Sequence, residues 1–282
     1  MRRADRPLPG VHKIAQGEAE LLRDADRDSG WLILIDGVPQ SYIDLDDPTH
    51  LDFEYMRLLG DVVDHLGVGD EPLDVVHIGG AGCTLARYIA ATRPDSRQIV
   101  FDLDAPLIQL VRDNFPVKHI RGLKIKIADG RQGLSTLPDA SDDLIVLDAF
   151  SGAVMPLPLA TVEFTQDVAR VLRDDGVYLV NVADGARLPF ARRLAATLQQ
   201  VFPHTLLMAE PPLLRGRRYG NLILAASHTP LPTQSLTRIT SSKPIPARCL
   251  DTEALSRFTS GHPPIHDNDQ VPLPTPPKSL FT

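Results

Sequence analysis

The chain has 282 residues, 43% hydrophobic and 23% charged, ordinary globular usage that argues against wholesale disorder or a coiled coil and is ample for one buried core. Its formal net charge of −7 argues against broad binding to a nucleic-acid backbone, which depends on a concentrated Lys/Arg surface. The two cysteines, Cys83 and Cys249, lack CxxC spacing, so neither a disulfide framework nor a thiolate zinc site is expected, and the setting reads as reducing and cytoplasmic.

The opening MRRADRPLPG lacks the apolar core of a signal peptide, and the first twenty-odd residues, charged and weakly patterned, are expected as a loosely docked arm. WLILIDGVPQSYIDL from Trp31 predicts a β-hairpin turning at Asp36-Gly37. Its apolar run is far too short to span a bilayer, so no membrane partner is expected. LDFEYMRLLGDVVDHLG from Leu51 predicts an amphipathic helix leading into the first strand of a larger sheet.

From Leu73 to about Ser227 short apolar runs alternate with helical patterns, the signature of a parallel α/β sheet. LDVVHI, RQIVFDL, LKIKIA, DLIVLDA, VYLVNVA, TLLMAE and NLILAAS supply seven strands. Phe164, Val168 and Val171 form one helical stripe, and Leu188, Ala191, Leu194, Leu198 and Phe202 a second; both serve to cover the sheet. After Pro230 the chain is rich in proline, as in SSKPIPAR and VPLPTPPKSLFT, and is expected to be mostly extended or loop. The expected division is an arm and hairpin over 1–52, a Rossmann-like nucleoside-binding domain over 53–228 and a proline-rich extension over 229–282.

Four strand ends carry chemistry. Gly79-Gly80-Ala81-Gly82 forms a small-residue turn between strand and helix, where backbone can approach a ligand. Asp102 ends the next strand, where a carboxylate can accept both hydroxyls of a ribose, and Asp104 competes for that role. Ala128-Asp129-Gly130 ends the third strand and Asp148-Ala149-Phe150-Ser151-Gly152 the fourth. Ligands in open α/β sheets bind outside the carboxyl ends of the strands, so these four define one rim. Neither GxxxxGK[ST] nor GxGxxG occurs, which excludes the P-loop and NAD-type readings.

Other groups read more plainly. Cys83 is expected as a buried packing residue. The segment His262-Pro-Pro-Ile-His266-Asp267-Asn-Asp269 has metal-like composition but lies in the proline-rich tail without helical ligand spacing, so no metal is expected. Arg215-Gly216-Arg217-Arg218-Tyr219-Gly220 is a basic turn joining the last two strands, read as a solvated hairpin or oligomer contact that could receive an anionic substrate group.

Between Trp31 and Ser227 the residues resemble the spermidine synthases, aminopropyltransferases built on the class I methyltransferase fold. LIDGVPQSYIDL is similar to that family's DGxxQ-containing strands, IGGAGCTLAR to its GGGDGGTLRE, FDLD to its VEID, ADG to its GDG, and LDAFSGAVMP to its DSSDP segment. The fold class implied is a seven-stranded Rossmann-like sheet with an N-terminal hairpin. Carried over by position, Gln40 would touch the thioether side of a nucleoside, and Gly79 and Gly80 would lie under it. Asp102 would hold the ribose, Asp129 with Gly130 would meet the adenine, and Asp148 would sit beside the reacting carbon. The implied co-substrate is decarboxylated S-adenosylmethionine or S-adenosylmethionine, the partner a small-molecule amine or other small acceptor, and the assembly a homodimer.

The leading expectation is aminopropyl transfer to a polyamine, with departures that leave the family's amine-binding motif incomplete. The glycine turn lacks the family's aspartate, which holds the aminopropyl ammonium; Ser151 replaces the second aspartate of DSSDP; and the family's Tyr-His pair is Tyr55-Met56. Burying a multiply charged amine without counter-charges is costly. Asp46, Asp47 and Asp52 are candidate replacement carboxylates. A methyltransferase and a catalytically silent nucleoside-binding scaffold are the rival expectations, which fold alone does not separate.

Overall fold

The computed structural model describes residues 7–15, 17–80 and 82–277. Ala81 of the glycine turn, the start of the arm and the end of the tail lie outside the described residues.

The hairpin forms as expected. Strands β3 (Gly30–Ile35) and β4 (Val38–Asp44) pair antiparallel around Asp36 and Gly37, both at positive φ (48° and 79°), which a two-residue hairpin turn requires. The arm departs from expectation, because β1 (Gly10–Lys13) and β2 (Glu18–Arg23) extend the hairpin into a four-stranded sheet in the order β1-β2-β3-β4. Ala19 and Leu21 are completely buried between exposed or half-buried neighbours. That alternation is too short to signal a strand until β3 supplies the partner.

Helix α1 (Glu54–Val63) buries Met56, Leu58, Leu59, Val62 and Val63. The chain then alternates β5 (Asp74–Gly79), α2 (Thr84–Thr92), β6 (Arg97–Asp102), α3 (Ala105–Asn114), β7 (Leu123–Ile127), α4 (Gly130–Ser135), β8 (Asp142–Asp148), α5 (Val162–Val171) and β9 (Leu172–Asp184). It continues with α6 (Pro189–Val201), β10 (His204–Ala209), α7 (Pro211–Leu214), β11 (Gly220–Ser227), α8 (Thr233–Ser241), β12 (Arg248–Leu250) and α9 (Thr252–Thr259). The large sheet runs β12-β10-β11-β9-β8-β5-β6-β7, parallel from β7 to β9 and antiparallel through β11, β10 and β12. This is the Rossmann-like, methyltransferase-type order.

All seven expected strands are present, and the sheet has eight because β12 adds to β10 with Leu207 opposite Leu250. The proline-rich segment is therefore more regular than its composition suggests. Its prolines lie outside α8 and α9; Pro232 sits at the N-cap of α8, and Asp251 caps α9 by accepting from the Ala254 N–H at 2.8 Å. Leu236 and Leu255 anchor these helices, both fully buried.

Strand residues alternate between two cores. Val76, Ile78, Ile145 and Val180 pack with Phe164, Val168, Leu194 and Leu198 of α5 and α6, whereas Val75, Val146 and Leu179 pack with α1, α2 and Leu236. A third cluster joins Trp31, Ile33 and Ile43 of the small sheet to Leu107 and Val111 of α3. It seats the small sheet over the carboxyl ends of β5 and β6. The approach is close: a Cβ on Gly82 would lie 2.5 Å from the Ser41 side chain.

Candidate functional site

A cavity of about 710 Å³ opens where the small sheet overhangs the strand ends, and its wall contains Gln40, Gly79, Gly80, Asp102, Asp129, Gly130 and Asp148. The fold thus brings Gln40, the glycine turn and the strand-end acids to one space, whereas the connector carboxylates, Cys83 and the basic turn's arginines lie outside its wall. Each arrives through local structure.

Gly79 and Gly80 both hold φ of +81°, the left-handed region that glycine enters without steric penalty. A Cβ on Gly79 would lie 2.4 Å from the Asp148 carbonyl oxygen, so this glycine lets β5 and the end of β8 approach; a Cβ on Gly80 would meet nothing within 4 Å. The second glycine therefore leaves open space at the cavity wall. Cys83 begins α2 just beyond, buried, its thiol pushed up to about 12 by that burial. It is a neutral packing group at physiological pH.

The carboxylates separate by their partners. Asp104 caps α3, accepting from Leu107 N–H at 2.8 Å, and also accepts from Ala15 N–H at 3.2 Å. Its oxygens serve the helix and the N-terminal segment. Among the described residues the Asp102 carboxylate accepts the Asp104 N–H alone, at 2.9 Å, and burial pushes its carboxyl up to about 6. Asp129 caps α4 by accepting Gln132 N–H at 2.9 Å.

Asp148 ends the central strand β8. Burial raises its carboxyl to about 6, opposed by Asn181 of β9, whose Nδ2 donates to Oδ1 at 2.8 Å. The Asn181 side chain is buried and its Oδ1 has no partner among the described residues, an expensive arrangement unless a ligand donates to it. Tyr55 reaches the same cavity from α1; burial and then the charge of Asp148 hold its phenol well above the ordinary tyrosine range. Gln40 crosses the cavity mouth, its Nε2 donating to the Gly152 carbonyl at 3.3 Å, and Tyr219 donates its hydroxyl to the Ala153 carbonyl at 2.8 Å.

Asn181 escapes the sequence reading, although it is the one amide inside the run VYLVNVA and that interruption is a usable signal; Tyr219 is read there only as part of the basic turn. The replacement carboxylates proposed in the connector lie elsewhere. Asp47 binds Arg27 and Thr49, Asp52 stands 3.7 Å from His50, and neither they nor Asp46 line the cavity. Glu54, at the start of α1, does. In the tail, His266 meets Glu163 at 2.9 Å and Asp267 pairs with both terminal nitrogens of Arg131 at 2.8 Å. These contacts fasten the chain after α9.

No family model matches the chain. A curated polyamine aminopropyltransferase of Chromobacterium violaceum is 31% identical over 143 residues, which is 50% of this chain and 53% of that protein; the chain thus matches about half the length of this relative. Human methyltransferase-like protein 13, solved with SAH, superposes with a TM-score of 0.56 at 20% identity over 77% of this chain and 97% of its own, which bears on the fold alone. A crystal structure titled a probable spermidine synthase from Corynebacterium glutamicum superposes with a TM-score of 0.85 at 35% identity, over 94% of this chain and all of its own. Identity at that level along the whole of a related chain, with a superposition of that quality, makes this protein a member of the spermidine synthase-like family on a methyltransferase-type fold.

Proposed function

We propose that the protein transfers an alkyl group from an adenosyl sulfonium co-substrate of the decarboxylated S-adenosylmethionine type to the nitrogen of a small amine. The observation that carries this reading is Asp148: a half-buried carboxyl raised to about 6 by burial at the end of β8, facing Tyr55 and held by Asn181. A group with that value is largely ionised at neutral pH yet basic enough to take a proton from an amine.

The residues fit a nucleoside of this kind. Open space beside Gly80, the unpartnered Oδ1 of Asn181 and the uncommitted oxygen of Asp102 are what such a ligand would use. Asp102 would accept the ribose hydroxyls, Asp129 and Gly130 would lie at the adenine, and Gln40 would close the thioether side. The sulfonium, when bound, supplies a good leaving group; the protein's own work is orientation and proton removal. Asp148 takes the amine proton, Asn181 fixes the carboxylate with its Nδ2 and offers Oδ1 to a second N–H, and Tyr55 stays protonated as a donor.

A second reading, methyl transfer from S-adenosylmethionine itself, is favoured by the glycine turn, which brings no acid to hold an aminopropyl ammonium. Calorimetry with the decarboxylated and carboxylated donors decides between them: tighter binding of the decarboxylated form supports aminopropyl transfer, and tighter binding of the carboxylated form replaces it with methyl transfer. Among the described residues no helix is long and apolar enough to cross a membrane.

A further inference from the structure

The sheet order divides the cavity. Asp102 and Asp129 follow β6 and β7 on one side of the β5–β8 pair, while β9 and β11 lie on the other. With the nucleoside assigned to the first side, the acceptor falls to the second, whose wall includes Tyr55, Phe150, Asn181, Tyr219 and Asn221. Among the described residues lining that side, the acid beyond Asp148 is Glu54, exposed at the start of α1.

Outside the wall on this side, next to the lining residues Tyr219 and Gly220, the surface carries arginines that do not themselves line the cavity. The loop from β9 to α6 and the loop from α7 to β11 meet where Asp184 pairs with Gly220. They are in close contact: a Cβ on Gly216 would lie 2.7 Å from Arg187 N, and one on Gly185 would lie 3.0 Å from the Tyr219 ring. Arg187, Arg215 and Arg217 are all exposed on these loops, and among the described residues none of their guanidiniums pairs with a carboxylate, whereas Arg218 is neutralised by Glu210. The first loop is also strained. Ala186, Arg187 and Leu188 hold φ of 26°, 74° and 58°, each unfavourable for a residue with a side chain. Complete burial of Leu188 and two N–H bonds to Asp184, from Gly185 at 2.7 Å and Ala191 at 2.9 Å, hold it in place. Strain of this kind persists where the surroundings over-determine a loop.

We propose that the acceptor is an amine bearing an anionic group, carboxylate or phosphate, with its nitrogen at Asp148 and its anion against Arg187, Arg215 and Arg217. The inference rests on the transferase reading and specifies its substrate class. Unpaired guanidiniums attract such an anion and repel the distal ammonium of a diamine. In the reaction the amine nitrogen bonds to the carbon beside the sulfonium and the carbon–sulfur bond breaks. Its electron pair passes to sulfur, giving the neutral thioether nucleoside, and the amine proton goes to Asp148.

The test measures methylthioadenosine release from decarboxylated S-adenosylmethionine with length-matched n-alkylamines, α,ω-diamines, ω-amino carboxylates and aminoalkyl phosphates. The expected order places one anionic class first and diamines last, the better of the two anionic classes identifying the group. In the Arg215→Ala/Arg217→Ala variant the kcat/KM ratio of anionic amine to alkylamine should fall about tenfold, a magnitude of about 1.4 kcal/mol. Preference for diamines, or an unchanged ratio in a variant with wild-type Tm, overturns the proposal while leaving the transferase reading intact. If no amine releases the nucleoside, the transferase reading fails instead. Calorimetry of ω-amino carboxylates and aminoalkyl phosphates with methylthioadenosine present then decides the anion site alone: weaker binding in the variant supports it, and equal or absent binding overturns it.

Discussion

In the proposed transfer, Asp148 would take the proton while Asn181 positions its carboxylate, through the hydrogen bond between them. The Asn181 N–H lowers a carboxyl that burial raises, so Asn181→Ala should push Asp148 above about 6 and move the acid limb of the kcat/KM profile to higher pH. An unmoved limb would assign Asn181 to packing alone. Burial also has a cost that can be measured. Asp148 rises from the ordinary 3.8 to about 6, so the folded state holds its proton longer than the unfolded state does, and stability declines as pH rises through that window. Asp148→Asn should therefore stabilise the fold at neutral pH by about 1–3 kcal/mol, with no gain near pH 4, as read by denaturant unfolding at the two pH values. Asp102 and Asp104 should separate in a parallel way. Asp102→Ala is expected to weaken nucleoside binding by about 1–3 kcal/mol, whereas Asp104→Ala, which removes the α3 cap, should cost about 0.5–2 kcal/mol of stability. Binding lost in the Asp104 variant and retained in the Asp102 variant would reverse the assignment.

At the scale of elements, the small N-terminal sheet completes the cavity because it can come close. Gly82 lets β4 pass over the glycine turn, and a Cβ there would be 2.5 Å from Ser41. Gly82→Val should cost about 1–3 kcal/mol through overpacking and weaken nucleoside binding as the sheet is displaced; a thermal melt with calorimetry checks both, and wild-type values would show that the sheet docks independently. The strands of the large sheet and the acids at their ends were legible in the sequence because apolar runs and turn residues are local signals. β1, β2, β12, α8 and α9 were not. Ala19 and Leu21 become core only opposite β3, three residues at Arg248–Leu250 become a strand only beside β10, and Pro232 reads as a breaker although it sits at a helix start. The acidic connector misled for a related reason: a run of carboxylates says nothing of Arg27, which takes Asp44 and Asp47.

Across the whole molecule, the proposal sets a nucleoside at Asp102 and Asp129, beyond β6 and β7, against an acceptor beyond β9 and β11. A family likeness over the full chain fixes the fold and lineage, but chemistry belongs to the site, and this site keeps the strand-end acids of its family while its glycine turn and the segment after Asp148 lack two others. That combination makes strong turnover of putrescine an unexpected result. The most direct measurement is methylthioadenosine release from decarboxylated S-adenosylmethionine by the wild type and Asp148→Asn, side by side, across the amine series. The account predicts release by the wild type with at least one amine, weak or absent with putrescine, and a loss of about 10²–10⁴-fold in the variant; no release by the wild type, or release that survives in Asp148→Asn, would contradict it.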